Sequence, residues 1–209
     1  MPVPDEIWLS TATPPRRQGR AGLFLDRDGV LVKEVNYLKN KEDVALEAGA
    51  AELVAWGRHK DLGTVCVTNQ SGIARGLISW PAFLDVEAEI TRQLAAQGVA
   101  LDLTIACPFH PDFTPGYGNG HAGWRKPGCR MIEHAGALMG LDLKRSWLVG
   151  DRTGDIAAAR GAGLKGAVLV LTGYGMAERD AALALAAPGF EVTAVADLFE
   201  ARLFLERAF

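Results

Sequence analysis

The sequence lacks any long hydrophobic run. No segment is apolar for long enough to cross a bilayer. The first twenty residues include Asp5, Glu6 and four prolines, so they lack the uninterrupted apolar core of a secretory signal peptide. We therefore expect a chain with neither a signal peptide nor a membrane span, located in the cytoplasm.

The chain is also poor in cysteine and has no excess of basic residues. Its three cysteines, Cys66, Cys107 and Cys129, are an odd number at wide spacing, which argues against a disulfide framework. Lysine and arginine number 22 against 25 aspartates and glutamates, and the formal net charge is −3. Because proteins that bind nucleic acid usually carry a basic face, we expect neither a nucleic-acid nor a membrane partner.

The composition and patterning that remain are those of a globular α/β protein. Hydrophobic residues make up 49% of the 209 residues and charged residues 22%. Short apolar runs alternate with segments of helical periodicity, which indicates βαβ units and a mainly parallel sheet. Strands are predicted at residues 21–25, 64–68, 101–106, 146–149 and 166–171. Helices are predicted at residues 48–60, 81–97, 129–139, 154–162, 177–187 and 195–209.

The predicted elements form one domain with an extension. Residues 1–21 are predicted to be an N-terminal extension, and residues 22–209 a single domain. The helix at 81–97 is too short to be a separate domain over the sheet. Residues 107–127 contain four prolines and four glycines, with little periodicity. A loop of this length inside a compact domain is often functional.

Three of the predicted strands are followed directly by oxygen-bearing side chains. Because the carboxyl ends of parallel strands share one edge of a sheet, these side chains should converge there. Each pair of aspartates also has a simpler interpretation, as a turn or as a helix cap. Gathered carboxylates repel one another, and Mg²⁺ suits such an oxygen-rich site. The residues are Asp26 and Asp28, Thr68 and Asn69, and Asp151 and Asp155.

Two further segments have the chemistry to bind a phosphate. TNQSGIARG, at residues 68–76, offers a hydroxyl, amides and a glycine-containing turn whose backbone N–H groups can bind phosphoryl oxygens. Arg125 and Lys126 provide two cations before Pro127. Taken alone, these segments are a surface loop and a solvated charge pair. Beside a carboxylate site, a fixed cation would offset charge on a transferring phosphoryl group.

Four segments, in this order, resemble the motifs of the haloacid dehalogenase (HAD) superfamily of phosphatases: FLDRDGV, VTNQSGIARG, RKP and VGDRTGD. The resemblance extends from about Gly22 to Gly175. It implies a HAD-type, Rossmann-like three-layer α/β sandwich with a mainly parallel sheet and no large cap domain. It also implies a small phosphorylated metabolite as substrate. We expect the protein to be a monomer.

The resemblance implies a role for each motif residue. Asp26 would attack phosphorus and form an aspartyl-phosphate, and Asp28 would protonate the leaving oxygen and then activate water. Mg²⁺ would be held by the Asp26 side chain, the Asp28 backbone carbonyl and Asp151. Thr68 and Lys126 would bind the reacting phosphoryl group.

The remaining site residues follow from the same resemblance. Asp155 would support Lys126 or a metal-bound water without itself binding the metal. The residues expected to contact the substrate are Glu34, Tyr37, Asn69, Gln70, Ser71, Arg75, Arg125 and Arg152.

The second motif is similar to that of the branch that contains heptose-bisphosphate and histidinol-phosphate phosphatases. The leading hypothesis is removal of the C7 phosphate of D-glycero-D-manno-heptose 1,7-bisphosphate, and histidinol phosphate is the alternative substrate. A bisphosphate needs a second anion site, which Arg75 and Arg125 would supply.

Two hypotheses from other classes are a catalytically silent phosphosugar-binding module and a DNA-end phosphatase. The intact positions Asp26, Asp28, Lys126 and Asp151 argue against the first, and the acidic composition argues against the second.

The loop before RKP departs from the zinc loop, of the form CxH…CxC, that many members of this branch carry. Phe109 occupies the expected histidine position, and Ala122 and Trp124 occupy the expected cysteine positions. An irregular zinc set would have to use Cys107, His110, His121 and Cys129. We expect instead a loop without zinc, held by its prolines and by the packing of its aromatic residues Phe109, Phe113, Tyr117 and Trp124.

Overall fold

The computed structural model describes residues 6–11, 18–118 and 120–209. Within these ranges seven strands form one sheet: β1 Trp8–Thr11, β2 Ala21–Leu25, β3 Gly63–Asn69, β4 Leu103–Cys107, β5 Asp142–Gly150, β6 Gly166–Val170 and β7 Glu191–Val195. The α-helices are α1 Ala50–His59, α2 Ser71–Ala74, α3 Trp80–Ala96, α4 Arg130–Met139, α5 Thr153–Gly161, α6 Gly175–Leu183 and α7 Leu198–Ala208. Lys41–Asp43 forms a 3₁₀ turn.

The sheet has the strand order β1-β4-β3-β2-β5-β6-β7. Every neighbouring pair is parallel except β1, which runs antiparallel to β4. Every residue of β2 is buried, which explains its continuous apolar sequence AGLFL. The carboxyl ends of β2, β3 and β5 therefore lie side by side at one edge.

Helices cover both faces of the sheet, and each face has its own large core. Leu23 and Leu25 of β2 point into one core, together with buried residues of α1, α3 and α7. Phe24 points to the opposite face and packs with buried residues of α4, α5 and α6. This alternation along β2 follows from the two-residue repeat of a strand. The predicted three-layer α/β sandwich is confirmed.

Two strands were not predicted from the sequence. The predicted helix at 195–209 begins only at Leu198, with Asp197 accepting a hydrogen bond from the Glu200 N–H as its N-cap. Glu191–Val195 before it forms the last parallel strand, because it pairs with β6 along its whole length. Trp8–Thr11, within the predicted extension, pairs with β4 and adds an edge strand.

The short helix α2, at Ser71–Ala74, was also not predicted, because its segment was expected to be a glycine-containing turn. The other helices and strands lie near their predicted positions, with ends that differ by a few residues. The clearest difference is β5, which begins at Asp142 rather than at Ser146. In the described part of the chain, no helix is both long and apolar enough to span a bilayer.

Candidate active site

A cleft of about 370 Å³ opens at the carboxyl ends of β2 and β3. Every residue predicted for the site lines this cleft except Asp151, which is completely buried. The convergence expected from a parallel sheet is therefore found. The predicted residues that line the cleft are Asp26, Asp28, Glu34, Tyr37, Thr68, Asn69, Gln70, Ser71, Arg75, Arg125, Lys126, Arg152 and Asp155.

Asp26 lies at the floor of the cleft, one residue after β2. Its backbone N–H donates to the Val149 carbonyl at 3.0 Å, which continues the pairing of β2 with β5. Its Oδ1 accepts hydrogen bonds from the Arg27 N–H at 2.6 Å and from Lys126 Nζ at 2.8 Å. Burial raises the pKa of Asp26 well above its ordinary value, and Asp155 adds to this, while Lys126 opposes it.

Lys126 is a buried cation held between two carboxylates. Its Nζ lies 2.8 Å from Asp26 Oδ1 and 2.5 Å from Asp155 Oδ1, and it donates to the Val67 carbonyl at 2.8 Å. Burial alone would lower the pKa of Lys126, but Asp155 and Asp26 outweigh it and raise the pKa. The ammonium is therefore a fixed positive charge beside Asp26.

Asn69 connects the end of β3 to the Lys126 backbone. Its Oδ1 accepts from the Lys126 N–H, and its Nδ2 donates to the Lys126 carbonyl, both at 3.0 Å. This reciprocal pair joins residues that are 57 positions apart in the sequence. It fixes the backbone from which the Lys126 side chain enters the site.

Asp151 carries an acceptor atom without a partner. Its Oδ2 accepts from the Tyr174 N–H at 2.8 Å, while its buried Oδ1 has no hydrogen-bond partner among the described residues. Burial raises the pKa of Asp151 to about 7. Gly29 and Gly173 border this carboxylate at positive φ, and a Cβ at either position would clash with Oδ2.

One group of residues fits a divalent cation. Ligand oxygens of Asp26, Asp151 and Asp155 all lie within 4.8 Å of one another. Both Asp155 oxygens already have partners, since Oδ1 meets Lys126 and Oδ2 accepts from the Arg152 N–H at 3.0 Å. The unpartnered Asp151 oxygen, beside a second buried carboxylate, is the arrangement that a hard cation such as Mg²⁺ would satisfy.

Asp28 stands at the edge of the cleft with a set of donors around it. Arg27 donates to both Asp28 oxygens at distances between 2.9 and 3.3 Å. Gln70 Nε2 donates to Asp28 Oδ2 and to Thr68 Oγ1, each at 2.9 Å. Arg27 was not predicted as a site residue, although its place between two aspartates was a signal for it.

Arginines line the walls of the cleft. Arg75 stacks over the Phe113 ring, with Cζ 4.9 Å from its centroid, and its Nη2 lies 2.8 Å from His110 Nε2. The Arg152 Cζ lies 3.5 Å from the centroid of the Tyr174 ring. Partial burial lowers the pKa of Arg125, and Arg75 and Arg152 contribute to this. These three arginine side chains therefore line one cleft.

The aromatic residues of the loop have different environments. Phe109 and Trp124 are buried, and Tyr117 packs partly against the same core, as predicted. Phe113 was expected to pack inside the loop, but it is 49% exposed and lies against Arg75 instead.

Within the described residues, the four candidate zinc ligands do not form a cluster. The group of three or more possible metal ligands found there consists of Asp26, Asp151 and Asp155 at the cleft floor. His110 contacts Arg75 and accepts from the Asp112 N–H, while His121 stacks on Tyr117. The absence of zinc stays a prediction.

Comparisons with known proteins agree with this architecture. A family model described as HAD-hydrolase-like matches residues 123–200. A D-glycero-alpha-D-manno-heptose-1,7-bisphosphate 7-phosphatase of Photorhabdus laumondii is 38% identical over 74% of this chain and 85% of its own. A D-glycero-D-manno-heptose-1,7-bisphosphate 7-phosphatase of Thermosynechococcus vestitus is 41% identical over 75% of this chain and 81% of its own. A D-glycero-beta-D-manno-heptose-1,7-bisphosphate 7-phosphatase of Mesorhizobium japonicum is 36% identical over 68% of this chain. The match spans 65% of that relative's length.

Solved structures show the same fold. A HAD-like phosphatase from Mesorhizobium loti superimposes with a TM-score of 0.81 at 29% identity, covering 97% of this chain and 94% of its own. A D,D-heptose 1,7-bisphosphate phosphatase from B. bronchiseptica, complexed with magnesium and phosphate, has a TM-score of 0.74 at 30% identity. The superposition covers 90% of this chain and 99% of that structure. The similarity of sequence and fold therefore shows that this chain belongs to the HAD-like hydrolase family and is a phosphatase of the HAD type.

Proposed function

We propose that the protein removes the C7 phosphate of D-glycero-D-manno-heptose 1,7-bisphosphate. The observation that carries this proposal is that cations occupy both the floor and the walls of one cleft. Asp26 and Lys126 form a carboxylate–ammonium pair at the floor, and Arg75, Arg125 and Arg152 line the walls. A monophosphate needs only the first site. Relatives named for this substrate support the assignment.

Phosphoryl transfer begins at Asp26. A carboxylate oxygen of Asp26 forms a bond to the C7 phosphorus while the bond from phosphorus to the C7 oxygen breaks. Lys126 lies 2.8 Å from Asp26 Oδ1, so its fixed charge offsets the negative charge that accumulates on the phosphoryl group. Asp28 gives its proton to the departing C7 oxygen, which leaves as an alcohol.

The second step returns Asp26 to its starting form. Asp28, now a carboxylate, takes a proton from a water molecule, whose oxygen attacks the phosphorus of the aspartyl-phosphate. The bond from phosphorus to Asp26 breaks, and inorganic phosphate is released. Gln70 and Arg27 hold the Asp28 carboxylate at the cleft edge during both proton transfers.

The floor of the cleft fits Mg²⁺, which the Asp26 and Asp151 carboxylates and the Asp28 backbone carbonyl would hold. When bound, the ion supplies positive charge that reduces the repulsion between the attacking carboxylate and the phosphate. Asp155 keeps Lys126 in place through the 2.5 Å contact of its Oδ1.

The wall arginines would bind the phosphate that does not react. A guanidinium can donate two parallel hydrogen bonds to one phosphate, which gives both orientation and affinity. Arg125 and Arg75 are the proposed pair for the C1 phosphate. Glu34, Tyr37, Ser71 and Arg152 also line the cleft, in which the sugar hydroxyls would lie.

The test is a comparison of phosphate release with Mg²⁺ present. The substrates are both anomers of heptose 1,7-bisphosphate, histidinol phosphate and a panel of sugar monophosphates, and the zinc content is measured on the same sample. We expect the highest kcat/KM on a heptose bisphosphate. An equal or higher kcat/KM on histidinol phosphate would contradict the heptose assignment but not the phosphatase chemistry.

A further inference from the structure

A chain of buried charged groups extends from helix α3 to the carboxylate of Asp28. Arg27 is 1% exposed and Glu87 is 7% exposed. One edge of the guanidinium donates through Nη1 to Glu87 Oε1 at 2.8 Å. Its Nε and Nη2 donate to both oxygens of Asp28. The two carboxylates therefore bind different parts of one planar cation.

This geometry restricts where the Asp28 carboxylate can lie. A guanidinium is rigid and planar, so a contact on one edge sets the direction of the other. The Arg27 Cζ also lies 6.0 Å from the centroid of Phe83, another residue of α3. Helix α3 is packed into the core through Val86 and Ile90, so the position of Glu87 is determined by the fold.

Stability alone gives little reason for this arrangement. The attraction within a buried ion pair is largely offset by the loss of hydration, so apolar residues of similar volume are often as stabilising. A fixed carboxylate at the edge of an active site has a direct use, because proton transfer requires the donor and acceptor atoms to be correctly placed.

We propose that Glu87 is a positioning residue, which acts through Arg27 to place the Asp28 carboxylate for proton transfer to the leaving oxygen. The inference rests on the proposed function, in which Asp28 protonates that oxygen. Glu87 itself touches neither the substrate nor the reacting atoms.

The proposal predicts an effect that depends on the leaving group. An alkyl alcohol leaves slowly unless it is protonated, whereas p-nitrophenolate is stable without a proton. Displacing the Asp28 carboxylate should therefore slow the hydrolysis of a sugar phosphate much more than that of p-nitrophenyl phosphate. Damage to the nucleophile or to the phosphate site would slow both substrates alike.

The experiment measures kcat/KM on both esters with Mg²⁺ present, using wild-type protein, Glu87→Gln and Arg27→Lys. The alkyl ester is the sugar phosphate that the wild type hydrolyses best. The value of kcat/KM reports the steps up to the first irreversible one, the departure of the alcohol. The ratio of the two values from one sample does not depend on the folded fraction, so a partly unfolded variant remains informative.

Glu89→Gln is the matched control. Glu89 lies on the same helix and pairs with Arg92 at 2.7 Å, in an exposed pair that does not reach Asp28. Its ratio should equal that of the wild type. Asp28→Asn provides the reference for complete loss of the proton donor.

We expect Glu87→Gln and Arg27→Lys to lower the sugar-phosphate to p-nitrophenyl phosphate ratio by at least about tenfold, in the direction of Asp28→Asn. An unchanged ratio in Glu87→Gln, or a loss in Glu87→Gln without one in Arg27→Lys, overturns the positioning role. An unchanged ratio in Asp28→Asn would instead overturn the proposed role of Asp28.

Discussion

At the residue scale, the floor of the cleft contains two buried carboxylates, Asp26 and Asp151, with different sets of partners. Asp26 shares one oxygen between the Arg27 N–H and Lys126, and Asp151 has one oxygen without a partner among the described residues. Burial raises the pKa of both carboxyl groups. Such groups are costly to keep charged, and this cost is what a phosphate-binding cation and a metal would offset.

Replacing Asp26 by Asn should abolish turnover. The amide cannot form an acyl-phosphate at a useful rate, so we expect phosphate release to fall by at least about 10³-fold, as for the loss of other nucleophiles. Asp180→Asn is the control, because Asp180 is an exposed carboxylate on α6. Release at the wild-type rate from Asp26→Asn would show that the nucleophile is another residue.

Replacing Asp151 by Asn should raise the stability of the metal-free protein and abolish its response to Mg²⁺. The variant loses a buried charge, so we expect the metal-free protein to melt roughly 2–8 °C above the wild type. Its Tm should no longer rise with Mg²⁺. Both quantities can be read from thermal unfolding with and without the ion.

Asp142→Asn is the control for this pair of measurements, since Asp142 begins the same strand at the opposite end. It should leave the Mg²⁺ response unchanged. A normal Mg²⁺ response in Asp151→Asn would rule out this carboxylate as a ligand.

At the element scale, the loop that follows β4 supplies part of the cleft wall. Its Phe113 and His110 hold Arg75, which belongs to the turn after α2. Arg125, at the other end of the loop, has Nη1 3.4 Å from the Phe109 carbonyl. The loop thus sets the spacing between two arginines that approach the cleft from different parts of the chain.

Phe113→Ala should weaken bisphosphate binding selectively. A cation–π contact at an exposed site contributes about 0.5–1 kcal/mol, so we expect KM for the bisphosphate to rise roughly two- to fivefold. The kinetics of p-nitrophenyl phosphate, which has no second phosphate, should not change. Phe199→Ala, at an exposed phenylalanine of α7, is the control. An equal rise in KM for both substrates would indicate a general disturbance of the cleft.

At the scale of the whole molecule, the parallel sheet brings the ends of β2 and β5 together and so concentrates negative charge. Asp26 follows β2, and Asp151 and Asp155 follow β5, the strand paired with it. Lys126 pairs with Asp26 and Asp155, and Asp151 has no ion pair among the described residues. The folded state should therefore be stabilised by a divalent cation.

Mg²⁺ should raise the melting temperature of the wild type. At about 100 times the dissociation constant, a ligand that binds only the folded state stabilises it by about 2.7 kcal/mol. For a protein of this length we expect a rise in Tm of roughly 5–10 °C. EDTA should reverse the rise, and Na⁺ at equal ionic strength serves as the control. An unchanged Tm would contradict the proposed metal site.

Much of the fold and site was predictable from local patterns. The strand β2 and the helices α3 and α5 have clear apolar periodicity and boundaries, so their positions were close. The strands β1 and β7 were not predicted. Both are short edge strands with few buried residues, and their stability comes from pairing with β4 and β6 rather than from their own sequence.

The sequence by itself determined which side chains converge at the carboxyl edge of the sheet, because Asp26, Thr68 and Asp151 lie at the ends of strands whose apolar runs are visible locally, and parallel strands end at a common edge. Only the tertiary structure decided the contacts between distant segments. Glu87 meets Arg27 across 60 positions, and Phe113 lies against Arg75. Such pairings depend on how helices and loops pack over the sheet, which no local pattern encodes. The packing therefore determines how Asp28 and the wall arginines are held.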